Sequence, residues 1–176
     1  MRGRYRWVLA LALICLPAWA GEEPSRPPAL AEIGPKPNPV APPAAAEVER
    51  SIRRGIDFLL KRQNGDGSWG SANITRPEDV YATVPGAHQA FHAAVTALCI
   101  SALIETGGAD EEVAKALDRA EAWLFQNLPN VRRATPDAFY NSWTHAYAIQ
   151  ALVRMLGRRP DDAQRRQRIR ELIEHQ

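Results

Sequence analysis

Cysteine is nearly absent from this chain: 2 in 176 residues, at positions 15 and 99. Cys15 falls in an N-terminal targeting pattern, so the part left after cleavage keeps one thiol, and an intrachain disulfide is excluded. Cys99 lies in an apolar run and reads as a small buried hydrophobe. Strand signals are also missing, because β-branched residues do not alternate with polar ones anywhere along the chain. No cluster of Lys and Arg is interleaved with aromatics, which argues against a nucleic-acid partner. The N-terminal apolar run from Val8 to Leu16 is too short for a stable transmembrane anchor.

What the N-terminus does contain is Arg2, Arg4 and Arg6, that short run, and Ala18-Trp19-Ala20, the layout of a cleaved signal peptide over residues 1–20. The expected location is therefore periplasmic or extracellular. Removing the three arginines leaves 19 basic against 20 acidic residues, a net charge of −1, so the formal +2 of the full chain comes from its leader. Residues 21–45 follow as a linker. Eight of the 14 prolines lie between residues 21 and 46, which predicts an extended tether without helix or strand.

From residue 46 helical periodicity takes over. Helix 1 is expected from about Ala44 to Gln63, with Val48, Ile52, Ile56, Leu59 and Leu60 on one face. Helix 2 covers about Ala87 to Thr106 and is nearly all apolar after Ala93, the composition of a helix buried on most sides. Helix 3 begins near Asp110, a residue suited to an N-cap. Helix 4 runs from about Asn141 to Leu156 and stops at Gly157; Pro160-Asp161-Asp162 opens helix 5. Between helices 1 and 2 stands Gln63-Asn64-Gly65-Asp66-Gly67-Ser68-Trp69-Gly70, a glycine-rich turn in which Asp66 and Ser68 can bond neighbouring amides. A solvated turn has no use for an indole, so Trp69 is expected to be buried.

The pattern repeats. Residues 55–60 overlay 120–125 at an offset of 65, with Val48 and Ile52 falling on Val113 and Leu117. Residues 96–103 overlay 145–152 at an offset of 49. Residues 169–176 overlay 56–63 at an offset of 113, so helix 5 reads as the first helix of a third unit and the chain as a fragment cut in mid-repeat. The alternative is a terminal capping helix with Arg165, Arg166, Arg168, Arg170 and Glu171 on a polar face.

At the Gln63–Gly70 turn and the Thr96-Ala-Leu helix that follows it, residues 46–176 resemble the prenyltransferase and squalene-oxidase repeat. This is the unit of the terpenoid cyclase/protein prenyltransferase superfamily, which includes squalene–hopene cyclases. The resemblance implies an all-α fold, an αα-toroid of helical hairpins with helices 1, 3 and 5 outside and helices 2 and 4 inside. It makes Gln63 and Trp69 braces between outer helices, with Asp66, Gly67 and Ser68 shaping the turn. It also implies a cavity for an apolar or isoprenoid-like small molecule. The second unit departs from the pattern, since Leu128-Pro129-Asn130 stands where Asp-Gly-Ser-Trp would be.

The family's catalytic strings are not present. There is no Asp-x-Asp-Asp acid motif, no zinc set of Asp, Cys and His, and no thioester Cys-Gly-Glu-Gln. No cofactor and no metal is therefore implied by this stretch. His88 and His92 are four apart and share a helix face, with His145 on the neighbouring inner helix. A metal or acid–base role for them stands against the commoner reading as polar helix-end residues. Asp79 and Asp137 lie in loops expected at one rim, where carboxylates could do acid–base work, though solvated loop charges are the ordinary case. Phe91, Tyr140, Trp143 and Tyr147 are the aromatic candidates for lining a cavity, against plain packing between helices. Two classes of function follow: an exported terpene-cyclase-like protein, or a non-catalytic scaffold at the cell envelope with a protein partner. A third is a polysaccharide-active enzyme on a toroid fold.

Overall fold

A computed structural model describes residues 40–73, 86–106, 110–138 and 141–176, and among these it is all-helical, without strands. Five α-helices follow in order: α1 Ala45–Arg62, α2 Ala87–Thr106, α3 Glu111–Asn127, α4 Asn141–Leu156 and α5 Ala163–His175. Two short 3-10 turns, Leu128–Asn130 and Pro136–Ala138, lie between α3 and α4. The helices lie where the spacing of apolar residues predicts them. Asp110 caps α3 by accepting from the amides of Glu112 and Val113, and Asp162 caps α5 by accepting from Arg165. The signal-peptide and linker residues up to 39 lie outside the described residues.

Packing is densest between α2 and α4. Both are rich in buried alanine, Ala90, Ala93 and Ala97 on α2 and Ala148 and Ala151 on α4, all essentially inaccessible. Small side chains let the two backbones approach closely, and the Thr144 hydroxyl donates to the Ala90 carbonyl at 2.8 Å across the gap. α3 packs on α2, and α5 packs on α4. Leu103, Val113, Leu117, Leu124, Leu152, Met155 and Ile169 join them in one apolar core. α2 is long and apolar enough to cross a membrane, yet more than half of that stretch is buried among the other helices, the condition of a core helix.

α1 is the outlier. It contacts α2 and α3, but none of its 18 residues is buried. Ile56, Leu59 and Leu60 lean on the core, while Val48, Ile52 and Phe58 remain in solvent.

The alternative reading of helix 5 as a polar cap is corrected at one residue: Arg165 is buried, and so is its partner Glu121. The Arg165 guanidinium donates to Glu121 twice, Nε to Oε1 at 2.7 Å and Nη2 to Oε2 at 2.5 Å, and also to the Met155 carbonyl. A bidentate pair of this kind can occupy an interior position because each charge satisfies the other. Glu121 also holds the Arg165 proton more firmly than usual.

Candidate functional site

The polar centre of the molecule is the turn after α1. α1 ends at Arg62, and Gln63 leaves the helix in an extended conformation. Gly67 then takes φ 96°, a conformation L side chains rarely adopt, and passes so close to α3 that a Cβ would lie 2.5 Å from the Arg119 carbonyl oxygen. Only glycine fits there.

Around that close approach the turn is tied in three directions. Gln63 Nε2 donates to the Gly67 carbonyl at 2.9 Å and to the Ala116 carbonyl on α3 at 2.8 Å, while Arg119 donates to Gln63 Oε1. The Trp69 indole is buried, as the cost of exposing it predicts, and its N–H donates back to the Leu59 carbonyl at 2.8 Å. The Trp69 backbone amide donates to the Thr96 hydroxyl on α2 at 3.1 Å. One turn therefore joins α1, α2 and α3.

Asp66, Ser68 and His92 form a chain within it. The Ser68 hydroxyl donates to Asp66 Oδ1 at 2.6 Å, and the Ser68 amide donates to the same oxygen at 3.0 Å. Asp66 Oδ2 accepts from the Trp123 indole at 3.1 Å. Those donors hold the Asp66 carboxyl below its ordinary value, Ser68 foremost. His92 Nε2 lies 2.9 Å from Ser68 Oγ. Because the Ser68 proton already goes to Asp66, His92 must donate, which assigns the neutral imidazole to its Nε2–H tautomer. Burial lowers the His92 pKa, and the Asp66 charge partly opposes this. Its ring also stacks obliquely on Trp123, with centroids 4.8 Å apart.

The residue types are those of a hydrolytic triad, but the order is not. Serine stands between the acid and the histidine, so its proton points at the Asp66 carboxylate and not at an imidazole nitrogen. Ser68 is also inaccessible to a substrate. Asp66, ionised and accepting three hydrogen bonds, cannot serve as the strong acid that protonates an olefin. The open depression beside it, about 500 Å³, is lined by Asn64, Asp66, Gln89, His92, Trp123 and Asn127.

The other candidates are dispersed. His145 Nδ1 meets Gln176 Oε1 at 2.8 Å, a contact separate from that of His92, and His88 packs edge-on to Phe91. Among the described residues no group of His, Cys, Asp or Glu could hold a metal ion. Trp143 is exposed on α4, and Tyr147 is half-buried against the core. Asp79 and Tyr140 lie outside the described residues; Asp137 belongs to the second 3-10 turn. Cys99 is half-buried rather than buried, and desolvation pushes its thiol up to about 11, leaving it protonated and inert at neutral pH.

Glu121 reads from its charge as one more surface residue, yet in the repeat register it falls on Ile56, an apolar position.

A second, apolar depression lies between α1 and α2. It has a volume of about 360 Å³ and is lined by Ile52, Ile56, Phe58, Leu59, Ala102 and Thr106. No protein-family model matches the chain, and no solved structure matches it significantly.

Proposed function

We propose that this chain is an exported, non-catalytic helical-repeat scaffold of the cell envelope, built from αα-toroid units, that works by binding another polypeptide. The observation that carries this reading is the internal bonding of the Asp66–Ser68–His92 chain. Every group there with catalytic potential is committed to joining helices: Asp66 to α3 through Trp123, His92 on α2 to Ser68, and Gln63 to α3. Exposed apolar side chains remain on α1 and α2, Val48, Ile52, Phe58, Val95 and Leu98 among them, and on α4, Trp143 and Val153. Apolar helix faces of this kind fit other helices better than polar substrates.

A second reading has one observation in its favour. The depression between α1 and α2 is lined almost wholly by carbon, which suits an apolar or isoprenoid-like small molecule in a terpene-cyclase-like protein.

Incubation with squalene and with farnesyl diphosphate, followed by product analysis, separates the two. The scaffold reading expects no turnover, together with a lower unfolding midpoint for Asp66→Asn. Turnover that His92→Gln abolishes without unfolding the protein would overturn it.

A further inference from the structure

α1 carries a glycine that its own packing does not require. Gly55 stands in the interior of the helix, where a residue without a Cβ weakens helical order relative to alanine. Gly67 has a close neighbour in the Arg119 carbonyl, but a Cβ added at Gly55 would meet nothing within 4 Å. The open space there belongs to the apolar depression between α1 and α2. Gly55 lines it together with Ile52, Phe58 and Leu59 on the α1 side, opposite Ala102 and Thr106 on the α2 side.

Helical geometry sets the relief of that surface. Arg50, Arg54, Phe58 and Arg62 recur every four residues and form one ridge along α1, while Val48, Ile52, Ile56 and Leu60 form another. Between the two runs the row of Ser51, Gly55 and Leu59, low at its middle because Gly55 has no side chain. Two contacts tie the first ridge to this trough. The Arg62 guanidinium lies 5.7 Å from the centre of the Phe58 ring, and Arg54 Nη2 donates to the Ser51 hydroxyl at 2.8 Å. Phe58 is 57% exposed and Ile52 42%; on α2, Leu98, one turn before Ala102, is 44% exposed.

Charge says what the groove would take. α1 has five cations, Arg50, Arg53, Arg54, Lys61 and Arg62, against Glu47, Glu49 and Asp57. Among the described residues none of the five is paired with a carboxylate, whereas Lys115, Arg154, Arg158, Arg159 and Arg165 all are. Glu105, the one carboxylate of α2, is already held by Arg154. Positive charge thus borders the groove on its α1 side without an answering charge. The apolar part is a depression, and a depression receives side chains, whereas a bilayer takes up side chains that project. We propose, resting on the scaffold reading, that the polypeptide bound is an acidic amphipathic helix lying in this groove. Its apolar side chains enter over Gly55 and against Phe58 and Leu98, and its carboxylates meet Arg54 and Arg62. Gly55 sets the fit, because any side chain there would fill the space the partner occupies.

Selection on the immobilised 176-residue chain, from a displayed library of random peptides about 16 residues long, supplies the probe; that length gives roughly four helical turns. The enriched peptides are expected to carry net negative charge, with Leu, Phe or Trp recurring at helical spacing. The strongest of them, synthesised and labelled, is expected to bind in fluorescence anisotropy. Gly55→Leu fills the trough at an exposed site. It should keep or raise the urea midpoint of the protein and yet weaken that peptide by about tenfold or more. The joint reversal Arg54→Glu with Arg62→Glu should weaken it likewise, and added salt should weaken the wild-type complex. Enriched peptides that are neutral or basic overturn the proposal. So does the lack of any peptide that Gly55→Leu rejects, the mark of binding to the leader or to another face. Phosphatidylglycerol vesicles bound through Phe58 and Arg62, with no acidic peptide selected, overturn it in favour of a lipid surface. A chain that selects no acidic peptide and turns over neither squalene nor farnesyl diphosphate loses this partner and keeps the scaffold reading.

Discussion

Replacing Arg165 by Met tests the account of how α5 is held. The substitution removes the two bonds to Glu121 and the bond to the Met155 carbonyl, and leaves a carboxylate inside the protein. Breaking a buried pair from one side costs about 3–5 kcal/mol. Here the lower end applies, because Arg158 Nη1 lies 3.8 Å from Glu121 Oε2 and can shift to compensate part of the charge. A loss of about 3 kcal/mol moves a urea midpoint by about 1–3 M at the slopes usual for small domains. The sharper result is the double variant. With Glu121→Leu also present no orphan charge remains, and stability should return to within about 1 kcal/mol of wild type or exceed it. Urea unfolding followed by circular dichroism at 222 nm gives all four corners of the cycle, which should show a coupling of about 2 kcal/mol or more. The pair is shielded from solvent, so added salt should change the coupling little, unlike that of the more exposed Arg154–Glu105 bridge. Additive single effects, or an Arg165→Met variant within about 0.5 kcal/mol of wild type, would refute the assignment of a shared buried charge pair.

Two further outcomes follow from the turn. Burial lowers the pKa of His92 below the ordinary histidine value of 6.5, so below that value the unfolded chain binds the proton first. Stability should therefore be full above pH 6.5 and fall as the pH drops through the His92 pKa; equilibrium unfolding between pH 7.5 and 5 should show the decline, and His92→Gln should flatten it. Gly67→Ala meets both the φ of 96° and the Arg119 carbonyl, and should lower stability by at least about 2 kcal/mol in the same urea assay, whereas Gly55→Ala, with open space around it, should raise stability by about 0.5–1 kcal/mol.

The helices were legible because their signals are local. Periodicity marks α1 to α5, and Asp110, Gly157 and Asp162 punctuate their ends within a residue or two. Trp69 was legible for a different reason, since an indole in a polar turn has to be covered by something. The partners were not legible. Asp66 finds Trp123 across 57 positions and Arg165 finds Glu121 across 44, and neither residue of either pair announces the other. Charge alone suggests solvent for Arg165, whereas the side chain is buried. The same limit governs α1: amphipathic spacing predicts an apolar face but not what covers it, and here Val48, Ile52 and Phe58 remain open. His92 illustrates the reverse. Its chemistry marks it in the sequence, and the serine it bonds lies in a loop 24 positions away.

The weak seating of α1 also has a kinetic consequence. With no buried residue of its own, it depends on the turn that follows it and on the bond from Trp69 to the Leu59 carbonyl. It should therefore melt as a separate unit, its amides trading hydrogen for deuterium through small openings while α2 and α4 retain theirs until the whole molecule unfolds. Whatever presses on Phe58 and Ile52 would slow that exchange first. The least anchored helix is the one that reports contact.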